Sequence, residues 1–130
     1  MASKFEILVT KNGGYRFALK AANGQVVSTS QVYKTVVTCK KGIASVKVNA
    51  LAHIEDQTID EAEVVTLKNP KYEVYRDKAG EFRFRLRAKN GQVILASEGY
   101  GTKAGCQNGI ASIGKNAPEA EVVLVDTQAD

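Results

Sequence analysis

The sequence predicts an α+β fold in which two pseudo-twofold β-β-β-α-β units share one antiparallel sheet, with two helices packed on one face. Three observations predict it: an internal repeat, apolar residues alternating in period two at matching places in both copies, and one helix signature per copy. Phe5 aligns with Tyr72, and the same spacing holds without a gap to Ala50 and Ala117. About 21 of those 46 positions are identical. The motif "EAEVV" then occurs at Glu61–Val65 and again at Glu119–Val123, at a spacing shorter by about nine residues. The first copy therefore reads as residues 4–67 with an acidic insert at 51–60, the second as residues 71–126, and the two as one domain over 1–130.

Each element follows from local pattern. "KFEILV" and "KYEVYR" read as first strands, and "YRFALKA" and "FRFRLRA" alternate apolar with basic residues as half-buried second strands do. Asn23-Gly24 and Asn90-Gly91 suit a type I′ turn, whose two central residues need positive φ. "QVVSTS" and "QVILAS" complete a three-stranded meander. Thr35 and Thr102 stand where a helix N-cap hydroxyl can accept an orphan amide hydrogen bond. The helix that follows sets Cys39, Ile43 and Val46 on one face, matched by Cys106, Ile110 and Ile113. Gly42 and Gly109 weaken the helix at that face and point to a close approach of helix to sheet. "EAEVVTL" and "EAEVVLV" read as the last strands, and the insert ahead of the first gives that strand enough chain to exchange into the other half.

One such unit has one helix and a thin sheet, too small a core to be stable alone. Two units around a pseudo-twofold axis bury one shared core as a homodimer would, so the repeat reads as a fused dimer and the protein as a monomer. "EFRFRLRAKNGQVILASEGYGTKAGCQNGIASIGKNAPEAEVV" and its first-copy counterpart resemble the YegP-like family of small bacterial tandem-repeat proteins of uncharacterised function. The resemblance implies tandem or dimeric β3-α-β units in one continuous sheet with exchanged C-terminal strands, and it implies no catalytic residues. The insert around His53 is where this chain departs from that symmetry.

Composition narrows the function classes. With 44% hydrophobic and 25% charged residues the 130-residue chain is ordinary globular protein, not a disordered one. No apolar run is long enough to span a bilayer and "MASKFEILVT" lacks a signal-peptide pattern, so a cytoplasmic location without membrane contact is expected. The formal charge of +4 understates how basic the repeats are: roughly +7 from Lys4 to Ala50 and roughly +4 from Tyr72 to Ala117. Acid gathers between the copies at Glu55, Asp56, Asp60, Glu61 and Glu63, and in the tail at Glu119, Glu121, Asp126 and Asp130.

Four groups of residues are candidates for chemistry. Cys39 and Cys106 form no zinc or C-x-x-C pattern with the chain's single histidine, and on an apolar helix face they read as core. Arg83, Arg85 and Arg87 alternate with core residues on β-strand spacing, echoed by Arg16 and Lys20; with Tyr75 as an exposed aromatic neighbour they could track a phosphate backbone. The competing reading is a solvated face on which Glu73 pairs with Arg83 or Arg85 and Glu6 with Arg16. Tyr33 and Tyr100, each three residues after Ser30 or Ser97, stand at the helix entrances, where a pocket could form; packing of each ring against the helix start with its hydroxyl wet is the favoured reading, and neither serine has a base beside it. His53 with Glu55, Asp56 and Asp60 lacks the ligand rhythm of a calcium loop, so no metal or cofactor is expected. A non-enzymatic binding or interaction module is the leading expectation, its partner open; a nucleic-acid binder comes second and an enzyme third.

Overall fold

The computed structural model describes residues 3–129, and for 125–129 the backbone alone; Asp130 and the side chain of Asp126 lie outside the described residues. The first unit comprises β1 (Lys4–Thr10), β2 (Tyr15–Lys20), β3 (Val26–Thr29), α1 (Val36–Asn49) and β4 (Ile54–Asp56). The second comprises β5 (Lys71–Arg76), β6 (Phe82–Arg87), β7 (Val93–Ala96), α2 (Lys103–Asn116) and β8 (Glu121–Ala129). All eight strands form one sheet in the order β4-β5-β6-β7-β3-β2-β1-β8.

That order shows the exchange directly. β4 leaves the first unit and lies beside β5 of the second, while β8 leaves the second and lies beside β1 of the first. The halves meet in the middle at the single pair Thr29↔Ala96, where the Ser28 hydroxyl also donates to the Ala96 carbonyl at 2.6 Å. Two features differ from expectation. The sheet is mixed, not wholly antiparallel, because both exchanged strands pair in parallel. Because the halves join antiparallel at β3 and β7, β1 and β5 run in opposite directions, and each exchanged strand runs with the opening strand of the other unit and against that of its own. The exchanged strand of the first copy is also Ile54–Asp56, inside the expected insert, and not Glu61–Leu67; Glu61–Glu63 is a short 3-10 helix capped by the Asp60 carboxylate. Because Phe5 pairs with Val122 and its repeat-mate Tyr72 pairs with Ile54, the counterpart of Val122 is Ile54. The "EAEVV" echo thus links segments with different structures.

Pairing also fixes the faces. One register row runs Val123–Glu6–Ala18–Thr29–Ala96–Arg85–Glu73–Glu55 across all eight strands, and residues in register share a face. The alternate residues point to the other face, where Phe5, Ile7, Phe17 and Leu19 meet their counterparts Tyr72, Val74, Phe84 and Leu86 under both helices in one core. Phe5 meets Phe17 edge-on at 5.7 Å, and Tyr72 meets Phe84 edge-on at 6.0 Å, so the two halves pack alike. Cys39 and Cys106 are fully buried in this core, as expected of small hydrophobes.

The turns correct one local expectation. Only the glycine of each Asn-Gly pair has positive φ, 85° at Gly24 and 87° at Gly91. The Gly24 amide donates to Ala21 and Ala21 to Gln25, a type I turn closed by a left-handed glycine rather than a type I′ turn. Asn23 keeps ordinary φ because its side-chain oxygen takes the Gln25 amide at 3.0 Å. Both threonine caps form as expected, Thr35 accepting from the Thr38 amide and Thr102 from the Gly105 amide, each at 3.0 Å.

Candidate functional site

Two clefts related by the repeat stand at the helix side of the molecule. The first, about 600 Å³, lies between α2 and the β2–β3 hairpin: Tyr100, Asn108, Gly109 and Ser112 face Asn23 and Gln25. The second, about 410 Å³, lies between α1 and the β6–β7 hairpin: Tyr33, Lys41, Gly42 and Ser45 face Asn90 and Gln92. Each cleft takes its helix from one unit and its hairpin from the other, so neither exists in an isolated unit.

The tyrosines are placed by packing. Tyr33 stacks on Phe17 at 6.1 Å and Tyr100 on Phe84 at 6.3 Å, each ring reaching over the helix glycine with its hydroxyl end at the cleft. The close approach that Gly42 and Gly109 permit is therefore to a tyrosine rather than to the sheet backbone. Burial raises both phenols above their usual range, with the buried cysteine below each adding to the shift. The cysteines are pushed up to about 11 by burial, which keeps them protonated and poor nucleophiles.

Ser30 and Ser97 are not part of the clefts. Both are buried, the Ser30 hydroxyl accepting the Phe17 amide at 3.0 Å and donating to the Gln31 carbonyl at 2.7 Å, with Ser97 doing the same between Phe84 and Glu98. They pair backbone groups where the third strand leaves the sheet. From local pattern Asn23 and Asn90 read only as turn residues, and Gln25 and Gln92 carry no mark of a cleft lining. The signal available was that N-G-Q is identical in both copies, although the turn needs the glycine and not the glutamine.

The arginine row lies on the opposite face, and carboxylates occupy it. Glu73 accepts from Arg85 at 2.5 Å and Arg87 at 2.6 Å and lies 3.4 Å from Lys71; Arg83 reaches Asp77 at 2.6 Å. Burial works to raise the Glu73 carboxyl, but the hydrogen bonds from both arginines outweigh it and hold it below the usual carboxylate range. Tyr75 carries the Arg85 guanidinium over its ring at 4.4 Å, so its face is already covered. In the first unit Glu6 pairs with Lys20 and Lys4 rather than with Arg16, whose buried Nε has no hydrogen-bond partner among the described residues.

The acidic insert is dispersed into structural contacts. The Glu55 carboxylate takes Lys71 at 2.7 Å, Gln57 at 2.6 Å and the Leu67 amide at 2.7 Å, which ties the linker between the units to the sheet. Asp56 pairs with Lys103 at the start of α2, and His53 Nε2 contacts the Lys68 carbonyl at 2.7 Å. Among the described residues no cluster of three metal-ligating side chains occurs, and no helix is long and apolar enough to cross a membrane.

A family model described as a domain of unknown function, DUF1508, matches residues 10–56 and again 77–123. The UPF0339 protein YegP of Yersinia pestis is 37% identical over 112 residues, which cover 86% of each chain. A UPF0339 protein of Treponema denticola is 58% identical over 55 residues, 42% of this chain but 95% of that one, so the relative is little longer than one unit. The solution NMR structure of the Escherichia coli protein of unknown function yegP superposes with a TM-score of 0.76 at 32% identity, covering 100% of this chain and 97% of the other.

Proposed function

The chain belongs to the DUF1508 family, whose function is unknown, and from that premise we propose that it is a small non-enzymatic binding module with two related ligand clefts. The observation that carries this reading is the repeat-related pair of clefts. Each is furnished with a tyrosine hydroxyl, helix serine and hairpin amides, and each has one charged lining residue, Lys41 in one and Glu98 in the other. Their volumes fall in the range of small-molecule sites, and amides and hydroxyls fix a polar ligand by hydrogen bonds without supplying a nucleophile and its base.

The module acts as a monomer in the cytoplasm, its second repeat taking the place of a dimer partner. Two buried, unpaired thiols accord with a reducing compartment. The pairing of Arg83, Arg85 and Arg87 with Asp77 and Glu73 speaks for a stabilised face over a nucleic-acid track. The test is an amide NMR titration of the full chain with a set of amino acids, sugars, nucleotides and carboxylic acids. Saturable shifts at Asn23–Gln25, Asn90–Gln92, Ser45 or Ser112 support the reading. Shifts at none of these positions overturn it.

A further inference from the structure

We propose that the two clefts differ in ligand class, and that the α1 cleft takes a small anion bearing phosphate or carboxylate. This rests on the reading of the clefts as binding sites. Tyr33, Gly42, Ser45, Asn90 and Gln92 have identical repeat-mates in Tyr100, Gly109, Ser112, Asn23 and Gln25, so most of the frame is shared. The charges are not shared. Lys41 stands where the α2 cleft has Asn108, and Gln31 stands where it has Glu98. Both changes act in one direction, adding a cation to the α1 cleft and removing a carboxylate from it.

The surroundings reinforce that difference. The chain from Ile7 to Ile54, which includes all of α1, contains no acidic residue. Across the cleft, Lys89 is exposed on the hairpin between the lining residues Ala88 and Asn90, where the other hairpin has Ala22. Lys41 is exposed and makes no ion pair with any described carboxylate, so its charge is available to a ligand. The Tyr33 hydroxyl and the amides of Gln31, Asn90 and Gln92 supply neutral donors around it. A lysine among such donors holds an anion as a point charge and leaves its shape to be read by the amides.

The experiment is an amide NMR titration of the full chain with inorganic phosphate and, separately, citrate, each against sodium chloride at equal ionic strength. The expected result is saturable shifts at Lys41, Ser45, Gly91 and Gln92, with Asn108, Ser112, Gly24 and Gln25 unmoved. A response to phosphate alone, to citrate alone or to both identifies the source of the charge. Lys41→Asn should weaken the response about five-fold, and Asn108→Lys with Glu98→Gln should confer it on the α2 cleft. Equal shifts in both clefts, shifts matched by chloride, or an unchanged affinity in Lys41→Asn would overturn the inference. If neither anion binds but a neutral or cationic small molecule shifts the cleft amides, the anion assignment fails while the binding reading stands. If no small molecule shifts them, both fail.

Discussion

The Tyr100 hydroxyl fills the space that a side chain on Gly109 would need: a Cβ there would lie 2.5 Å from that oxygen and 3.1 Å from the Phe84 ring. Tyr33 lies over Gly42 in the same manner. Each ring is held from below by a stacked phenylalanine, so it cannot move aside without disturbing the core. Alanine at either glycine gains helix propensity of about 1 kcal/mol but overpacks this contact. The expected outcome for Gly42→Ala or Gly109→Ala is a net loss of up to about 2 kcal/mol by chemical denaturation. In a Tyr33→Ala background the Gly42→Ala change should lose most of its cost. Additive losses in that double-mutant cycle would show that the tyrosine is not the obstacle.

Acid should loosen the fold through the linker clamp. Glu55 sits at about 2 against an ordinary 4.5: burial works to raise it, and the hydrogen bonds from Lys71, Gln57 and the Leu67 amide outweigh that. A carboxyl depressed in the folded state stabilises the fold above its unfolded pKa and ceases to do so as pH falls through the folded one. Stability should therefore be level above about pH 5 and decline from 4.5 towards 2, with Glu6, Asp56, Glu73 and Asp77 shifted in the same direction. Glu55→Gln should lose roughly 1–3 kcal/mol at neutral pH and show a shallower decline in that window. Urea denaturation of both proteins at pH 7 and pH 3 measures it; parallel curves would mean that the clamp is not the acid-sensitive element.

The repeat, the meander, the caps and the buried helix face were legible because each is written in local pattern. Two things were not. The Asn-Gly turns depended on an alternative for Asn23, its own side-chain bond to Gln25, which relieves it of positive φ. The exchanged strand of the first copy was hidden because Ile54–Asp56 is a three-residue edge strand with a buried glutamate, whereas "EAEVV" has the better strand composition. A carboxylate can sit there only because Lys71 and Gln57 come to it, one of them from sixteen residues further along the chain. The clefts were half legible. Tyr33 and Tyr100 announced one wall, but the facing hairpin belongs to the other unit, and no local pattern records which distant segments meet.

Arg85 and Arg87 are expected to matter for stability and not for nucleic acid. Glu73 is only 5% exposed, and removing both arginines leaves its carboxylate with the Gln57 amide at 3.2 Å and with Lys71, both of which it already shares with Glu55. The double substitution Arg85→Ser with Arg87→Ser should lower stability by about 1–3 kcal/mol. Fluorescence anisotropy with labelled single-stranded RNA, single-stranded DNA and duplex DNA should show no salt-sensitive binding that the substitution removes. A steep salt dependence abolished in the variant would restore the basic face as a nucleic-acid site.

Because β4 completes the second unit and β8 the first, neither half carries its own edge strand. A fragment of residues 1–70 has β4 but no β5 for it to join, and its β1 lacks β8. The fragment 71–130 stands in the mirror position. Each fragment can satisfy its unpaired edge by lending its last strand to a second copy of itself, a reciprocal exchange closed by twofold symmetry. Mixed together, the two can instead rebuild the parent arrangement, in which Tyr72 donates to the Ala50 carbonyl at 2.8 Å and Lys103 pairs with Asp56 across the halves. Size-exclusion chromatography with light scattering should find dimers of either fragment alone and a one-to-one complex in the mixture, with the clefts restored only in the associated forms. A folded monomeric fragment would mean that its last strand can turn back onto its own unit, and the exchange would then be a choice of this chain rather than a requirement of the repeat.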